Sequence, residues 1–304
     1  MIVGLGLIAP FFFYILIGVV AQKLLRYPVE GQKWLDAFIF YIALPALLFQ
    51  SVRVLPTGVA SLPTFLLITT SMTGLMFTIG WFISRRNPSG DAPAVYALSA
   101  SYSNIGYMGP ALTVAALGPS AGAPAAFIFC ADVLLIFSIW PAMISDAGRT
   151  WSGVLSSLRK VITHPFIIAV LAALAFAATG LSMPTFIDTP LTGFQIAAAP
   201  TALFSLGLTL ARHDAGQLEP RLAACLSIKL IAHPMAVSLA FMIFTGFDPI
   251  WIATAIIMGA LPPAANVYVM ARSEGISVPL AARAVLYGTA FSAVTLPAII
   301  ALMT

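Results

Sequence analysis

Long apolar runs follow one another along this chain with little between them. A helix needs roughly 20 apolar residues to cross a bilayer. Ten stretches meet that need, at about 2–22, 34–52, 62–84, 92–117, 122–144, 164–183, 190–211, 221–245, 249–272 and 279–303. The links are short, so no extramembrane domain is expected. A β-barrel would show segments of about ten residues with alternating polarity, and these runs are longer and apolar on all sides. Charged residues make up only 8% of the chain, against about 25% in a soluble domain. So few charges cannot cover a water-facing surface, which excludes a soluble enzyme or a nucleic-acid-binding domain. A hydrophobic content of 61% also excludes disorder. An all-α integral membrane protein remains. The run Met1–Ala21 lacks a basic leader and reads as a span, not a signal peptide. Cys130 and Cys225 sit in apolar runs and imply neither a disulfide framework nor a metal site.

The basic residues orient the spans. Of 14 Lys and Arg, 12 fall in the links after spans 1, 3, 5, 7 and 9, among them Lys33, Arg85, Arg149, Lys160, Arg212 and Arg272. The links after even spans carry only Arg53, and Lys229 lies inside span 8. The positive-inside rule then puts the odd links in the cytoplasm and both termini outside.

Ten spans divide into two sets of five, about 1–148 and 160–304. An odd number of spans per half makes the halves enter the membrane from opposite sides, an inverted repeat. Helix breakers recur at matching places. Pro45 in span 2 and Pro200 in span 7 are 155 residues apart. Span 4 is broken around Asn104-Ile105-Gly106-Tyr107-Met108-Gly109-Pro110 and span 9 around Leu261-Pro262-Pro263-Ala264-Ala265-Asn266. Prolines can simply kink membrane helices, and for Pro45 and Pro200 that reading stands equally. Two breakers plus an Asn in both halves point instead to discontinuous helices around a midplane site, as in secondary transporters.

A broken helix frees backbone groups that must face protein or a wet cavity. Proline suits the first turn of a new half-helix, so Pro110 and Pro262/Pro263 are expected to start the second halves. Such N-termini favour a carboxylate. Gly106 and Gly109 allow close approach. Asn104 and Asn266 can donate and accept, and Ser103 adds a hydroxyl. Ionisable groups within spans are functional suspects. They are Asp132 in span 5, and Lys229 with His233 in span 8, four residues apart on one face. Lys229 reads either as a buried partner of Asp132 or as part of the function. His233 reads as a core histidine bonding a freed carbonyl or as a proton carrier. Asp36 and Arg283 lie near span ends and read as interfacial. No His-Glu-x-x-His pair and no Walker sequence occurs, so no enzyme and no cofactor is expected.

Asn104-Ile105-Gly106-Tyr107-Met108-Gly109-Pro110, Phe204-Ser205-Leu206-Gly207-Leu208, Ile228-Lys229-Leu230-Ile231-Ala232-His233-Pro234 and Leu261-Pro262-Pro263-Ala264-Ala265-Asn266 together resemble the auxin efflux carrier family, especially its bacterial members. The resemblance covers essentially the whole chain. It implies the ten-helix inverted repeat shared with bile-acid sodium symporters, with spans 1, 2, 6 and 7 as a scaffold. Spans 3–5 and 8–10 would form a transport domain in which broken spans 4 and 9 cross. It implies an organic anion as substrate, auxin-like or a dicarboxylate such as malonate or malate. It further implies elevator-type alternating access, a bacterial inner membrane and a homodimer. By position, Asn104, Pro110 and Pro263 match the family's substrate-contacting Asn and crossover prolines. Two departures stand out. Span 3 lacks the charged pair of the plant carriers, and their long loop between spans 5 and 6 is reduced to about 19 residues.

The sequence therefore predicts a carrier of a small organic anion in a lipid bilayer, with Lys229 adding positive field and a proton or Na+ as coupling ion through Asp132 or His233. The alternatives are a sodium-coupled symporter of the bile-acid type and a membrane sensor that binds the ligand without moving it.

Overall fold

The computed structural model describes residues 2–53, 61–86, 92–144, 159, 162–213 and 216–303. Arg149, Lys160 and the boundary between the expected repeats lie outside these residues. The described chain is helical, and its one β feature is an isolated bridge. The first half comprises α1 (Ile2–Leu25), α2 (Val29–Phe38), α3 (Leu44–Val52), α4 (Leu62–Arg86), α5 (Pro93–Ser101), α6 (Gly109–Leu117) and α7 (Gly122–Ile144). The second comprises α8 (Pro165–Thr179), α9 (Thr185–Leu210), α10 (Pro220–Ser227), α11 (His233–Ile243), α12 (Pro249–Ala260), α13 (Ala265–Glu274) and α14 (Val278–Ala301). π turns at Ile39–Ala43 and Ile228–Ala232 join α2 to α3 and α10 to α11 without a break.

Among the described residues, 7 helical stretches are long and apolar enough to cross a membrane, where the sequence predicts ten spans. The difference has a physical cause. Predicted span 6 becomes α8, only 15 residues long, which Gly180 ends in a left-handed conformation (φ 66°). Predicted spans 4 and 9 are each cut in two, into α5 and α6 of 9 residues each and α12 and α13 of 12 and 10.

The matched prolines of spans 2 and 7 do not act alike, and neither interrupts its span. Pro45 opens α3 directly after a π turn, in which the Leu44 amide reaches back to the Ile39 carbonyl. That wider turn makes room for a ring that would clash with a carbonyl in a regular α-helix. Pro234 follows the second π turn in the same way. Pro200 lies inside continuous α9. Beside it the Thr201 hydroxyl donates to the Ala197 carbonyl at 2.7 Å, a local bond of the kind that lets membrane helices tolerate proline.

Small residues set the closest helix contacts. α1 and α9 cross where Gly18 meets Gly207. A Cβ on Gly18 would run into the Phe204 carbonyl, and one on Gly207 into the Ile15 carbonyl. In lipid, such backbone approach supplies the dispersion contact that holds helices together. α4 joins α11 and α12 through Phe65, whose ring packs on Phe241, Phe247 and Trp251. Outside this core, Leu67, Phe82, Ile196, Met242 and Val294 are each more than half exposed. Large apolar side chains spread over the whole outer face fit a lipid surround, not water. The predicted lone basic residue of the even links, Arg53, pairs with Asp188 at 3.1 Å and ties the end of α3 to the start of α9.

Candidate functional site

The two broken spans meet at one crossing. After α5 the backbone of Tyr102-Ser103-Asn104 is extended, and after α12 so is that of Pro262-Pro263-Ala264. The segments pair antiparallel. The Asn104 amide donates to the Pro262 carbonyl at 2.7 Å, and the Ala264 amide donates to the Tyr102 carbonyl at 3.0 Å. Ser103 faces Pro263 between these bonds, where a residue's own amide points away from its partner. Proline therefore sacrifices no bond there. Pro262 likewise has no N–H to compete for the Asn104 carbonyl, which accepts the Met108 amide at 3.1 Å and starts the turn leading into α6. The double proline thus serves the crossing itself. The predicted role as first residue of a half-helix is not observed for Pro262 and Pro263, because α13 begins at Ala265. Pro110 does sit in the first turn of α6. Gly288 of α14 lies against Pro263, with no room for a Cβ between them, and Gly109 packs on Met258.

Side chains at the crossing are buried and incompletely bonded. Asn104 is 3% exposed and Ser103 is 1% exposed, and neither Asn104 Nδ2 nor Ser103 Oγ has a hydrogen-bond partner. Buried polar groups are nearly always paired, so the two adjacent orphans leave hydrogen-bonding capacity unfilled at the crossing. Ser103, Asn104, Gly106, Tyr107 and Asn266 line one small cavity together with the start of α13. Of the predicted binding residues, Ser103, Asn104, Gly106 and Asn266 are therefore brought together. Gly109 and Pro110 open α6 next to the crossing, where Gly109 packs on Met258.

A larger cleft of about 450 Å³ leads to this point from the end of the molecule that carries the odd links. Asn266, Ala265 and Tyr107 border both the cleft and the small cavity. Basic residues stand along it: Lys33, Arg212 and Arg272. Arg212 is held in place, donating to Gln32 Oε1 at 2.5 Å, Gln22 Oε1 at 3.2 Å and the Tyr27 carbonyl at 2.8 Å. Gln32 in turn donates to Thr209 Oγ1 at 2.8 Å and to the Ser205 carbonyl at 3.2 Å, joining α2 to α9. Asp36, predicted to be interfacial, lines the cleft and accepts the Ser205 hydroxyl. At the mouth His213 packs edge-on against Tyr268, ring centroids 4.4 Å apart. Burial, with the Arg272 and Arg212 charges behind it, holds its pKa below the ordinary histidine value. Sequence reasoning missed Gln32, Arg212, Ser205 and Tyr268. Ser205 stood in a quoted motif and Arg212 among the orienting basic residues, but neither carried a sign of a site, and Gln32 and Tyr268 showed only polarity near the ends of apolar runs.

On the other side of Ser103 lies a second cavity with room for about one water, lined by Ser103, Asp132, His233, Thr69 and Thr73. Asp132 Oδ2 accepts the Thr73 hydroxyl at 3.2 Å, while its Oδ1 is buried without a partner. Of the two readings of Lys229, a direct hydrogen-bonded pair with Asp132 is not formed among the described residues. Its ammonium donates to the Gly259 carbonyl at 2.6 Å and meets His233 Nδ1 at 3.1 Å. His233 accordingly bonds Lys229, not a freed carbonyl. Among the described residues no group of three or more His, Cys, Asp or Glu could hold a metal ion. A Gly-x-Ser-x-Gly spacing occurs at Gly118–Gly122, but it spans a helix-to-helix corner and leaves Ser120 exposed. It has none of the strand-to-helix setting of a nucleophile elbow.

The sequence profile of the family described as "Membrane transport protein" matches residues 3–150 and 147–300, nearly the whole chain. The chain belongs to this family. It is a membrane transport protein, integral to the bilayer, and not an enzyme, in keeping with its resemblance to the auxin efflux carriers. A relative from Rhizobium meliloti (strain 1021), described as a "Putative malonate transporter", is 34% identical over 306 residues. The match takes in 98% of this chain and 95% of the relative, so one architecture serves the length of both.

Proposed function

We propose that this membrane transport protein is a secondary carrier for a small organic anion, a dicarboxylate such as malonate, bound where the two broken spans cross. One observation carries the reading. The 450 Å³ cleft runs past three basic side chains to the first residues of α13, beside the orphaned amide of Asn104. A helix N-terminus and an unpaired buried amide N–H are donors without acceptors, which suit a carboxylate. Arg212, Lys33 and Arg272 lie within the same cleft and suit a second carboxylate. The Rhizobium meliloti relative's description points to the same substrate class.

The ten predicted spans form two inverted repeats of five, with the basic links in the cytoplasm and both termini outside the inner membrane. The antiparallel Ser103–Pro263 pairing supports this, since it joins corresponding breaks of the two halves. Spans 1, 2, 6 and 7 act as scaffold and spans 3–5 and 8–10 move against them. The tight contacts of α1 with α9, and of α4 with α5, fall within these groups. The cleft then opens to the cytoplasm, between scaffold residues such as Arg212 and moving residues such as Asn266.

Counterflow of labelled malonate in proteoliposomes tests the reading, because a sensor that only binds cannot exchange. The wild type is expected to exchange malonate, and malonate is expected to raise its melting temperature by binding only the folded state. Asn104→Ala is expected to lower malonate affinity roughly 10–100-fold, the worth of about 1.5–3 kcal/mol for one hydrogen bond to a charged group. Unchanged exchange by a folded Asn104→Ala protein would remove the site from the crossing.

A further inference from the structure

We infer that Asp132, with His233 and Lys229 behind it, is a proton-binding site that couples transport to a proton gradient, the proton travelling with the anion. Asp132 is 2% exposed, yet its carboxylate receives a single hydrogen bond from the protein, from Thr73. Its second oxygen borders the one-water cavity without a partner. A carboxylate so poorly solvated is held cheaply only when a proton or a cation joins it. Every element packed around it contributes to the balance. α4 gives the Thr69 and Thr73 hydroxyls, the crossing gives Ser103 and the phenol of Tyr102, α10 gives the Cys225 thiol, α11 gives His233, and the π turn before it gives Lys229. Lys229 is the one cationic side chain among these groups, and its contacts are directed to His233 and Gly259 rather than to Asp132. The Lys229 amine and Nδ1 of His233, 3.1 Å apart, share one hydrogen bond, so the charge on one bears directly on the other.

A proton fits this place better than Na+. A metal ion needs several oxygen ligands around it. Here the lining offers one free carboxylate oxygen and three hydroxyls, of which Thr73 is already engaged as donor to the other carboxylate oxygen. A proton needs only the free oxygen of Asp132.

Ser103 explains the coupling. It borders both the Asp132 cavity and the Asn104–Asn266 cavity, so the two sites are separated by a single extended residue. An anion at Asn104 and a proton on Asp132 stabilise each other across that residue in a weakly screened interior. By linkage each tightens the binding of the other, which makes anion and proton move together as a symport.

The inference rests on the carrier reading, and two measurements keep the two separable. The first is proton uptake on adding malonate to purified protein in weakly buffered detergent. The wild type is expected to take up a proton, and Asp132→Asn to take up none while still binding malonate with reduced affinity. The second needs no substrate. The infrared carbonyl band of a protonated buried carboxyl should titrate in the wild type and be missing from Asp132→Asn, with His233→Gln shifting the pH at which it titrates. In proteoliposomes a pH gradient should drive malonate accumulation in the wild type and fail to do so in Asp132→Asn. Accumulation driven by pH in Asp132→Asn, or driven by a Na+ gradient in the wild type, would overturn the inference. If malonate neither binds nor moves, the carrier reading falls for that substrate, and the infrared band alone then decides whether Asp132 holds a proton.

Discussion

Asn104 does two jobs with two parts of itself. Its backbone amide and carbonyl are spent on the crossing, while its side-chain N–H groups are left over. That separation is why Asn104→Ala should preserve the fold and lose the ligand. At the cleft mouth His213 behaves differently. Its depressed pKa means that the folded protein resists protonating it. A group of this kind contributes stability above its unfolded value of about 6.5, and that contribution is lost as pH falls below it. The melting temperature should therefore drop on acidification through that range, and His213→Gln should flatten the drop; equal pH profiles for the two proteins would discount His213. The residues that became the crossing were legible in the sequence because Asn, Gly and Pro have no ordinary reason to cluster inside an apolar run. Arg212 and Gln32 were not, since their partners lie some 180 residues away in the chain and no local pattern announces such a bond. Lys229 left two readings open for a related reason. Opposite charges in one apolar core suggest a pair, but a backbone carbonyl and an imidazole can satisfy an ammonium just as well.

At the level of helices, a proline does not announce its own effect. Pro45, Pro200, Pro234 and Pro263 share one chemistry and have different outcomes. A π turn absorbs two of them, a neighbouring threonine accompanies one, and only in the Pro262-Pro263 pair does the helix end. What separates them is whether a second strand of chain arrives to take the freed backbone groups, and this is a tertiary fact. Glycine was the clearer guide. Gly207 stood in a recognisable motif, and the structure gives its reason, a helix crossing too close for any side chain. Gly207→Val should force α1 and α9 apart and cost about 1–3 kcal/mol, typical of overpacking. A lowered melting temperature in detergent checks this, with Gly193→Ala, where a Cβ meets open space, as the control.

The whole molecule has a basic end and an apolar girth, and the cleft opens at the basic end. Its topology can be read chemically. In a background with Cys130 and Cys225 replaced, a cysteine placed at Arg272 should react with a membrane-impermeant maleimide only after cells are permeabilised. One placed at Arg53 should react in intact cells. The opposite pattern would invert the orientation and turn the cleft outward. Added malonate should slow labelling at Asn266→Cys, on the floor of the cleft, without slowing it at Arg272→Cys.

The pairing of Tyr102–Asn104 with Pro262–Ala264 joins parts of the chain made far apart in time. As the protein leaves the ribosome, the first half reaches the membrane with its fourth span already cut. The amide of Asn104 and the carbonyl of Tyr102 then wait in the bilayer until the ninth span arrives. The early half is thus an unfinished object, open to water, to the insertion machinery or to a second nascent chain. Completion of the last third of synthesis, not insertion of the first, is the step that closes the crossing.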